Sequence, residues 1–160
     1  MSADRIAAMV GLLVWRQSDG TYLILERSER KGFAAGQWEC VTAPVGHGEG
    51  YSVAAHRAAT QLLGRAVQLE FLIGTAHLYR GVVRPENELL GVHFGCTLAE
   101  AQDIRLSPEH SARKWVTVEQ AESLFPPGHS LRNLIVRAEL MRARLPEEIK
   151  QFHRTNGFEI

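Results

Sequence analysis

The strongest constraint on the fold lies in the first half of the chain, where the sequence predicts a strand, a loop and a helix in close succession. Trp38 to Thr42 has the character of a short strand. Pro44 to Gly50 contains three glycines and a proline and predicts a loop. Tyr51 to Leu63 contains neither glycine nor proline and predicts a helix, for which Ser52 is the expected N-cap. Gly64 follows directly and is typical of a helix end.

Strands are predicted on both sides of this helix. Ile6 to Trp15 is nearly all apolar, as expected for a strand that is buried on both faces. Asp19-Gly20 predicts a tight hairpin turn that leads into a partner strand at Thr21 to Arg27. The further predicted strands are Val67 to Thr75, Leu89 to Leu98 and Lys114 to Val116.

The second half of the chain adds two helices. Thr117-Val118-Glu119-Gln120 has the residues of a capping box and begins a small helix. Ser130 begins a longer one, whose apolar residues recur at helical spacing and should pack on a sheet. This mixture of elements predicts an α/β/α sandwich around a mixed β-sheet. Residues 1–145 are the predicted single domain, and residues 146–160 are expected to form a loosely attached C-terminal tail.

The composition argues against several classes of partner. A chain of 160 residues suits one domain. Lys plus Arg and Asp plus Glu number 18 each, so there is no broad basic field for nucleic acid. No apolar run approaches the roughly 20 residues that a membrane span needs. Cys40 and Cys96 lack metal-type spacing and are expected to be reduced, buried thiols of a cytoplasmic protein.

Three residues of the central segment have a distinctive spacing. Seven residues separate Glu49 from Arg57, and Gly64 closes the predicted helix that contains Arg57. This pattern resembles the Nudix box, written GX5EX7REUXEEXGU with U for an aliphatic residue. The resemblance implies a Nudix fold and a MutT-like hydrolase.

The flanking sequence supports the same resemblance. Arg27 ends the second predicted strand, as in the family, and Glu109-His110 before Trp115 resembles the family's late Glu-His and Trp strand. The run from Trp38 to Glu49 is most similar to the dihydroneopterin triphosphate pyrophosphatase or dATP pyrophosphohydrolase branch. The resemblance covers the chain from about Ile6 to Arg137, which is most of the predicted domain.

The predicted helix departs from the family at three positions. The Nudix box has glutamate where this chain has Ala58, Gln61 and Leu62. Positions i, i+3 and i+4 share one helix face, and three carboxylates there form an oxygen site for Mg²⁺ or Mn²⁺. Ala58 and Leu62 are therefore expected on the helix face toward the cleft, or near it, with no metal bound there. We expect hydrolysis to be weak or absent, because each ~1.4 kcal/mol of lost transition-state stabilisation slows a reaction tenfold.

Six residues make up the predicted site. The resemblance implies catalytic roles for Glu109 and Arg57, metal binding by Glu49 and Gln61, and substrate binding by Arg27 and Trp38. Simpler alternatives exist, since Glu49 can brace the loop before the helix, Glu109 can be a solvated loop acid, and Trp38 can pack in the core. His47 and His56 offer a histidine-based metal site as a further alternative.

Two classes of function remain. The first is a divergent pyrophosphohydrolase of nucleoside or pterin diphosphate derivatives, which would use Mg²⁺ or Mn²⁺ if it is active. The alternative is a non-catalytic module, with no required cofactor, that binds a phosphorylated metabolite or a protein partner. In either case Arg80 and Arg84 can hold phosphates and Tyr79 can stack on a ring. The expected partner is a small phosphorylated metabolite rather than nucleic acid or a membrane, and a homodimer is left open.

Overall fold

The fold is a mixed β-sheet between two layers of helices, given by a computed structural model that describes residues 6–98 and 103–160. In these residues the strands are β1 (Ala7–Arg16), β2 (Tyr22–Arg27), β3 (Trp38–Glu39), β4 (Val41–Pro44), β5 (Gln68–Tyr79), β6 (Glu88–Leu98) and β7 (His110–Val116). The helices are α1 (Tyr51–Leu63), α2 (Val118–Leu124), α3 (Ser130–Arg144) and α4 (Glu147–Asn156). The predicted α/β/α sandwich on a mixed sheet is confirmed.

The centre of the sheet is the parallel pair of β1 and β6, and the strand order is β3-β2-β1-β6-β5. The tight turn between β1 and β2 forms as predicted, because Asp19 Oδ1 accepts a hydrogen bond of 3.0 Å from the Thr21 backbone N–H. The single strand predicted at Trp38 to Thr42 is wrong. Cys40 separates β3, which pairs with β2, from β4, which pairs with β1.

Alternating residues of the central strands face two separate cores. Val10, Leu12 and Val14 of β1 pack on the side of α1, whereas Leu13 and Trp15 pack on the side of α2 and α3. This alternation follows from the two-residue period of a strand. The buried residues of α1 include four alanines, whose small side chains let the helix lie close to the sheet.

The ends of α1 were only partly predicted. Gly64 has a φ of 65°, a left-handed conformation that glycine adopts readily, and it ends the helix as expected. The predicted N-cap is wrong, because α1 begins at Tyr51 after Gly50 and Ser52 lies inside the first turn. The Ser52 backbone N–H donates a 2.6 Å hydrogen bond to Glu159 Oε1, so the acceptor comes from the far end of the chain.

The C-terminal segment corrects the prediction of a loosely attached tail. Residues 147–156 form α4, and Arg154 Nη1 on that helix lies 3.1 Å from Oε2 of the buried Glu70. Beyond the helix, the Phe158 ring packs edge-on against Phe94, with the ring centroids 5.2 Å apart. Among the described residues, no helix is both long and apolar enough to cross a membrane.

Candidate functional site

A cleft of about 500 Å³ opens at one end of the sheet, where β2 and β5 end and β1 and β6 begin. The loop after β2 forms one side of the cleft, and His129 and Ser130 at the start of α3 form another. Strand ends that meet at one edge of a sheet bring together residues far apart in sequence. Arg27, Trp38 and Glu109, all predicted site residues, line this cleft together.

Glu39 on β3 is the centre of an ion-pair cluster in the wall of the cleft. Its carboxylate lies 2.7 Å from Arg27 Nη1, 2.6 Å from Lys31 Nζ and 2.9 Å from His110 Nε2. The register explains the arrangement, because β2 pairs with β3 on one side and with β7 on the other. We call these four residues, Arg27, Lys31, Glu39 and His110, the Glu39 cluster.

The Glu39 cluster is charged although it is largely hidden from water. The side chains of Lys31 and Glu39 are 9% and 15% exposed. Burial by itself would raise the pKa of Glu39, but the hydrogen bond to His110 and the charges and hydrogen bonds of Lys31 and Arg27 lower it to about 2. Glu39 is therefore ionised at neutral pH, and one carboxylate faces two permanent cations.

The mouth of the cleft adds further cations and aromatic surface. Arg30 and Arg80 line the cleft and are exposed, and within residues 6–98 and 103–160 neither forms an ion pair. Arg84, in contrast, is exposed but does not line the cleft. Trp38 and Tyr79 also line the cleft, and their aromatic rings can stack on a flat ring of a ligand whose anionic part meets the cations. Trp38 also packs partly against the core on the α2 and α3 side, as its alternative role predicts, and its role in substrate binding stays a prediction.

Glu109 is the exposed acid of the cleft. Its side chain is 49% exposed, and Oε2 lies 3.9 Å from Lys31 Nζ, which is beyond hydrogen-bond distance. The loop that carries it is held to the end of β2, since the Ser28 backbone N–H donates to the Glu109 backbone carbonyl at 2.9 Å. Glu109 is thus positioned by its backbone, while its carboxylate stays accessible.

Arg57 on α1 holds the loop before its own helix. Its Nε and Nη2 donate to the two carboxylate oxygens of Glu49 at 2.8 Å each, and Nη2 also donates to the Pro44 carbonyl at 2.8 Å. The hydrogen bond from Arg57 lowers the pKa of Glu49. In a fourth hydrogen bond, Arg57 Nη1 donates to Gln61 Oε1 at 3.2 Å. The oxygens of Glu49 and Gln61 that were expected to bind metal are therefore engaged with Arg57.

Ala58 and Leu62 were expected on the helix face toward the cleft, or near it. Both are buried, at 0% and 6% exposure, and both belong to the hydrophobic core between α1 and the sheet. They do not line the cleft. This helix face packs against apolar neighbours, because a methyl and an isobutyl group gain free energy from burial.

These residues do not fit a Mg²⁺ or Mn²⁺ site on α1. Such ions prefer several oxygen ligands, preferably carboxylates. In the part of the chain that the structure describes, no three His, Cys, Asp or Glu side chains come close enough to hold a metal ion. His47 and His56 are both exposed and take part in no such group.

No protein-family model matches the chain, and no curated protein does. Several solved structures, however, are similar to the fold of this chain. The MutT protein from Methanosarcina mazei Go1 is similar with a TM-score of 0.72 at 20% identity, over 89% of this chain and 100% of that one. The NUDIX domain of NrtR from Shewanella oneidensis, complexed with ADP ribose, has a TM-score of 0.66 at 14% identity, over 88% and 90%. The E. coli dihydroneopterin triphosphate pyrophosphohydrolase has 0.60 at 20% identity, over 80% and 91%.

The chain has the Nudix fold. The resemblance drawn from Glu49, Arg57 and Gly64 is thereby confirmed at the level of the fold. A Nudix fold shared at such low identity does not determine the activity, and membership of the dihydroneopterin triphosphate branch stays a prediction.

Sequence reasoning missed two members of the Glu39 cluster. Lys31 and Glu39 were not predicted to matter, and His110 was noted only as part of the Glu109-His110 pair. One signal was present: Glu39 is a charged residue between Trp38 and Cys40, in a segment predicted to be a strand. A single acid in a short, partly buried strand is usually paired with a cation. Here the partners of Glu39 lie on other elements, and the pairing register of the strands decides which side chains reach it.

Proposed function

We propose that the protein binds a small phosphorylated metabolite with a flat ring, of the nucleotide or pterin type, in the cleft, and that it hydrolyses diphosphates weakly or not at all. The proposal rests on one observation: the groups suited to ligand binding are present in the cleft, but the carboxylates suited to metal binding are absent from α1. The cleft contains cations and aromatic rings, whereas α1 contains no carboxylate and that of Glu49, just before the helix, is bound by Arg57.

Ligand binding is supported by the chemistry of the cleft. Four cationic side chains line it against two acidic ones, so an anion is favoured there. The cations are Arg27, Arg30, Lys31 and Arg80, and the acids are Glu39 and Glu109. Trp38 and Tyr79 supply ring surface beside them.

Weak catalysis is supported by the surroundings of α1. A metal that bridges a diphosphate neutralises its charge and activates water, and this needs oxygen ligands that α1 lacks. Glu49 and Arg57 hold the loop of residues 44–50 in place, which is a structural task. Glu109 is the accessible acid in the cleft and would accept the proton of an attacking water in any remaining hydrolysis.

The alternative is a non-catalytic Nudix-fold module that senses or carries the same ligand. The burial of Ala58 and Leu62 favours this alternative, because it shows that this face is occupied by core packing. We also propose that the protein is cytoplasmic and that it can form a homodimer.

Calorimetry and a hydrolysis assay test the proposal together. ADP, ADP ribose and dihydroneopterin triphosphate are titrated into the protein and also incubated with it in Mg²⁺ or Mn²⁺. We expect binding of at least one of them and slow or undetectable diphosphate hydrolysis. Rapid metal-dependent turnover would refute weak catalysis, and failure of all three ligands to bind would refute ligand binding.

A matched pair of variants tests the location. Arg30→Met with Arg80→Met removes two cations that line the cleft and form no ion pair within the described residues. We expect affinity to fall about tenfold or more, the size of one lost charge-assisted hydrogen bond. Arg144→Met, on the exposed last turn of α3, is the control and should leave affinity unchanged. Equal affinity for all three proteins would place the ligand elsewhere.

A further inference from the structure

The Glu39 cluster holds more positive than negative charge in a place with little water. Arg27 and Lys31 carry one charge each against the single carboxylate of Glu39, and their side chains are 10% and 9% exposed. Hiding an excess charge from water costs free energy unless another charge compensates it. Glu109 is the next acid, but its carboxylate is half exposed and 3.9 Å from Lys31 Nζ. An anion in the cleft would complete the compensation.

Both cations have hydrogen-bond donors left for a ligand. Arg27 uses Nε for the Phe33 carbonyl at 3.1 Å and Nη1 for Glu39, and no hydrogen bond to a described residue uses Nη2. Lys31 Nζ carries three protons. It donates to Glu39 and, at 3.3 Å, to Thr42 Oγ1, which leaves one donor.

The fixed position of these donors comes from Glu39. One carboxylate oxygen accepts from Lys31 and is bonded to His110, and the other accepts from Arg27. The Phe33 ring lies 4.4 Å from the Arg27 guanidinium carbon and limits its movement further. Long cationic side chains normally lose conformational entropy on binding an anion, and these two have lost most of it already.

A divalent cation is disfavoured at the same place. The two oxygens of Glu39 are occupied, and Arg27 and Lys31 repel a second cation. The oxygens of Glu49, the nearest box acid, accept from Arg57. The cluster therefore provides from its own side chains the positive charge that a metal ion would otherwise bring to a diphosphate.

We infer that the Glu39 cluster binds the diphosphate of the ligand directly, without a divalent ion between them, and that Glu39 positions Lys31 and Arg27 for this contact. This inference rests on the proposed ligand-binding function. It makes Lys31 and Arg27 binding residues and Glu39 a positioning residue. Arg30 and Arg80 are the further cations available to the same anion at the mouth of the cleft.

Titration of inorganic pyrophosphate and of ADP, in EDTA and separately in Mg²⁺, tests the inference. We expect both probes to bind in EDTA. Lys31→Met should weaken both about tenfold, as expected for a lost charged hydrogen bond, and Lys31→Arg should restore part of the loss. The exposed Arg144→Met is the control.

The outcomes separate this inference from the proposed function. Binding that requires Mg²⁺ overturns the inference and leaves the proposed function intact. Binding in EDTA that Lys31→Met does not change overturns the assignment to the cluster. If neither probe binds under any condition, and ADP ribose and dihydroneopterin triphosphate also fail to bind, both the inference and the proposed function are wrong.

A positioning role for Glu39 has its own readout. Glu39→Gln should weaken pyrophosphate and ADP by a similar factor but leave the affinity for adenosine, which has no phosphate, unchanged. General damage to the cleft would weaken adenosine as well, and that result would overturn the positioning role. Lys31→Met, on the loop after β2, provides an independent test if Glu39→Gln does not fold.

Discussion

The face of α1 that carries Ala58 and Leu62 excludes charge, whereas the Glu39 cluster concentrates it. On α1 the two central positions, Ala58 and Leu62, are apolar and buried, and the nearby acid Glu49 is tied to Arg57. In the cluster four polar side chains are packed together with little water. α1 packs against β4 and Glu39 lies on β3, so consecutive short strands carry an apolar helix face inside the core and a cationic cluster in the wall of the cleft.

The comparison indicates how a Nudix fold could keep a ligand without its usual metal carboxylates. A cleft that must hold a diphosphate needs positive charge, and side chains can deliver it as well as an ion can. The remaining role of α1 is then mechanical, because Arg57 fixes residues 44–50 beside the cleft.

Placing carboxylates on α1 should be costly. Ala58→Glu with Leu62→Glu brings two acids into the core between α1 and the sheet. We expect a loss of about 3 to 5 kcal/mol in the free energy of unfolding, as for other uncompensated buried charges, measured by urea denaturation. Gln61→Glu, on the exposed side of α1, is the control and should change stability by about 0.5 kcal/mol or less.

The opposite result would break the comparison. If the triple variant Ala58→Glu, Gln61→Glu and Leu62→Glu were as stable as the wild type and gained Mg²⁺-dependent hydrolysis, α1 would be a metal site that had merely lost its ligands. The buried positions of Ala58 and Leu62 would then be a consequence of that loss rather than an obstacle to metal binding.

Removing the charge of Glu39 should cost about 3 kcal/mol at pH 7, since a pKa lowered from 4.5 to about 2 corresponds to that free energy. In the unfolded chain the carboxyl has its ordinary pKa and takes up a proton first as the pH falls. The stabilisation is thus fully present above about pH 4.5 and is lost as the pH falls toward 2.

Urea denaturation of wild type and Glu39→Gln at pH 7 and at pH 3 measures this effect. The difference between the two proteins should be large at pH 7 and clearly smaller at pH 3. Glu148→Gln, exposed on α4, is the matched control and should differ little from the wild type at either pH. A difference that did not depend on pH would show that packing of Glu39, rather than its charge, stabilises the cluster.

How much could be predicted from the sequence also differs between these regions. Local signals defined α1 well: Gly64 ended the helix, and the spacing from Glu49 to Arg57 suggested the fold that the structure has. The Glu39 cluster draws residues from positions 27, 31, 39 and 110, and its assembly depends on the pairing of β2 with β3 and β7. No pattern within one segment encodes such a contact. The full burial of Ala58 and Leu62 in the core could not be predicted, because helical periodicity shows which residues share a face but not which neighbour that face meets.

Any residual hydrolysis should depend on Glu109 more than on Glu49. Glu109 is accessible in the cleft, whereas both oxygens of Glu49 accept hydrogen bonds from Arg57. We expect Glu109→Gln to slow diphosphate release about a hundredfold, the usual size for a lost general base. Glu49→Gln should produce a smaller loss. Full activity of the Glu109 variant in the same phosphate-release assay would contradict this assignment.

The smallest effect is expected where α1 begins. Glu159 Oε1 accepts from the Ser52 backbone N–H at 2.6 Å, and no side chain of α1 itself caps this end. Glu159→Gln should lower the free energy of unfolding by about 0.5 to 1 kcal/mol, as for other helix caps. Thermal melts beside Glu148→Gln as control measure it. Equal melting temperatures for both variants would show that Phe158, and not Glu159, holds the segment to the fold.

The contact between Glu159 and Ser52 spans 107 positions of sequence, and this gives synthesis on the ribosome a role in the order of folding. The first turn of α1 leaves the ribosome long before its acceptor has been made. Until residue 159 emerges, the Ser52 backbone N–H lacks this acceptor and bonds to water instead, and that turn should fray. A nascent chain arrested at residue 150 would therefore carry α1 with its C-terminal end already closed by Gly64 and its N-terminal end still open.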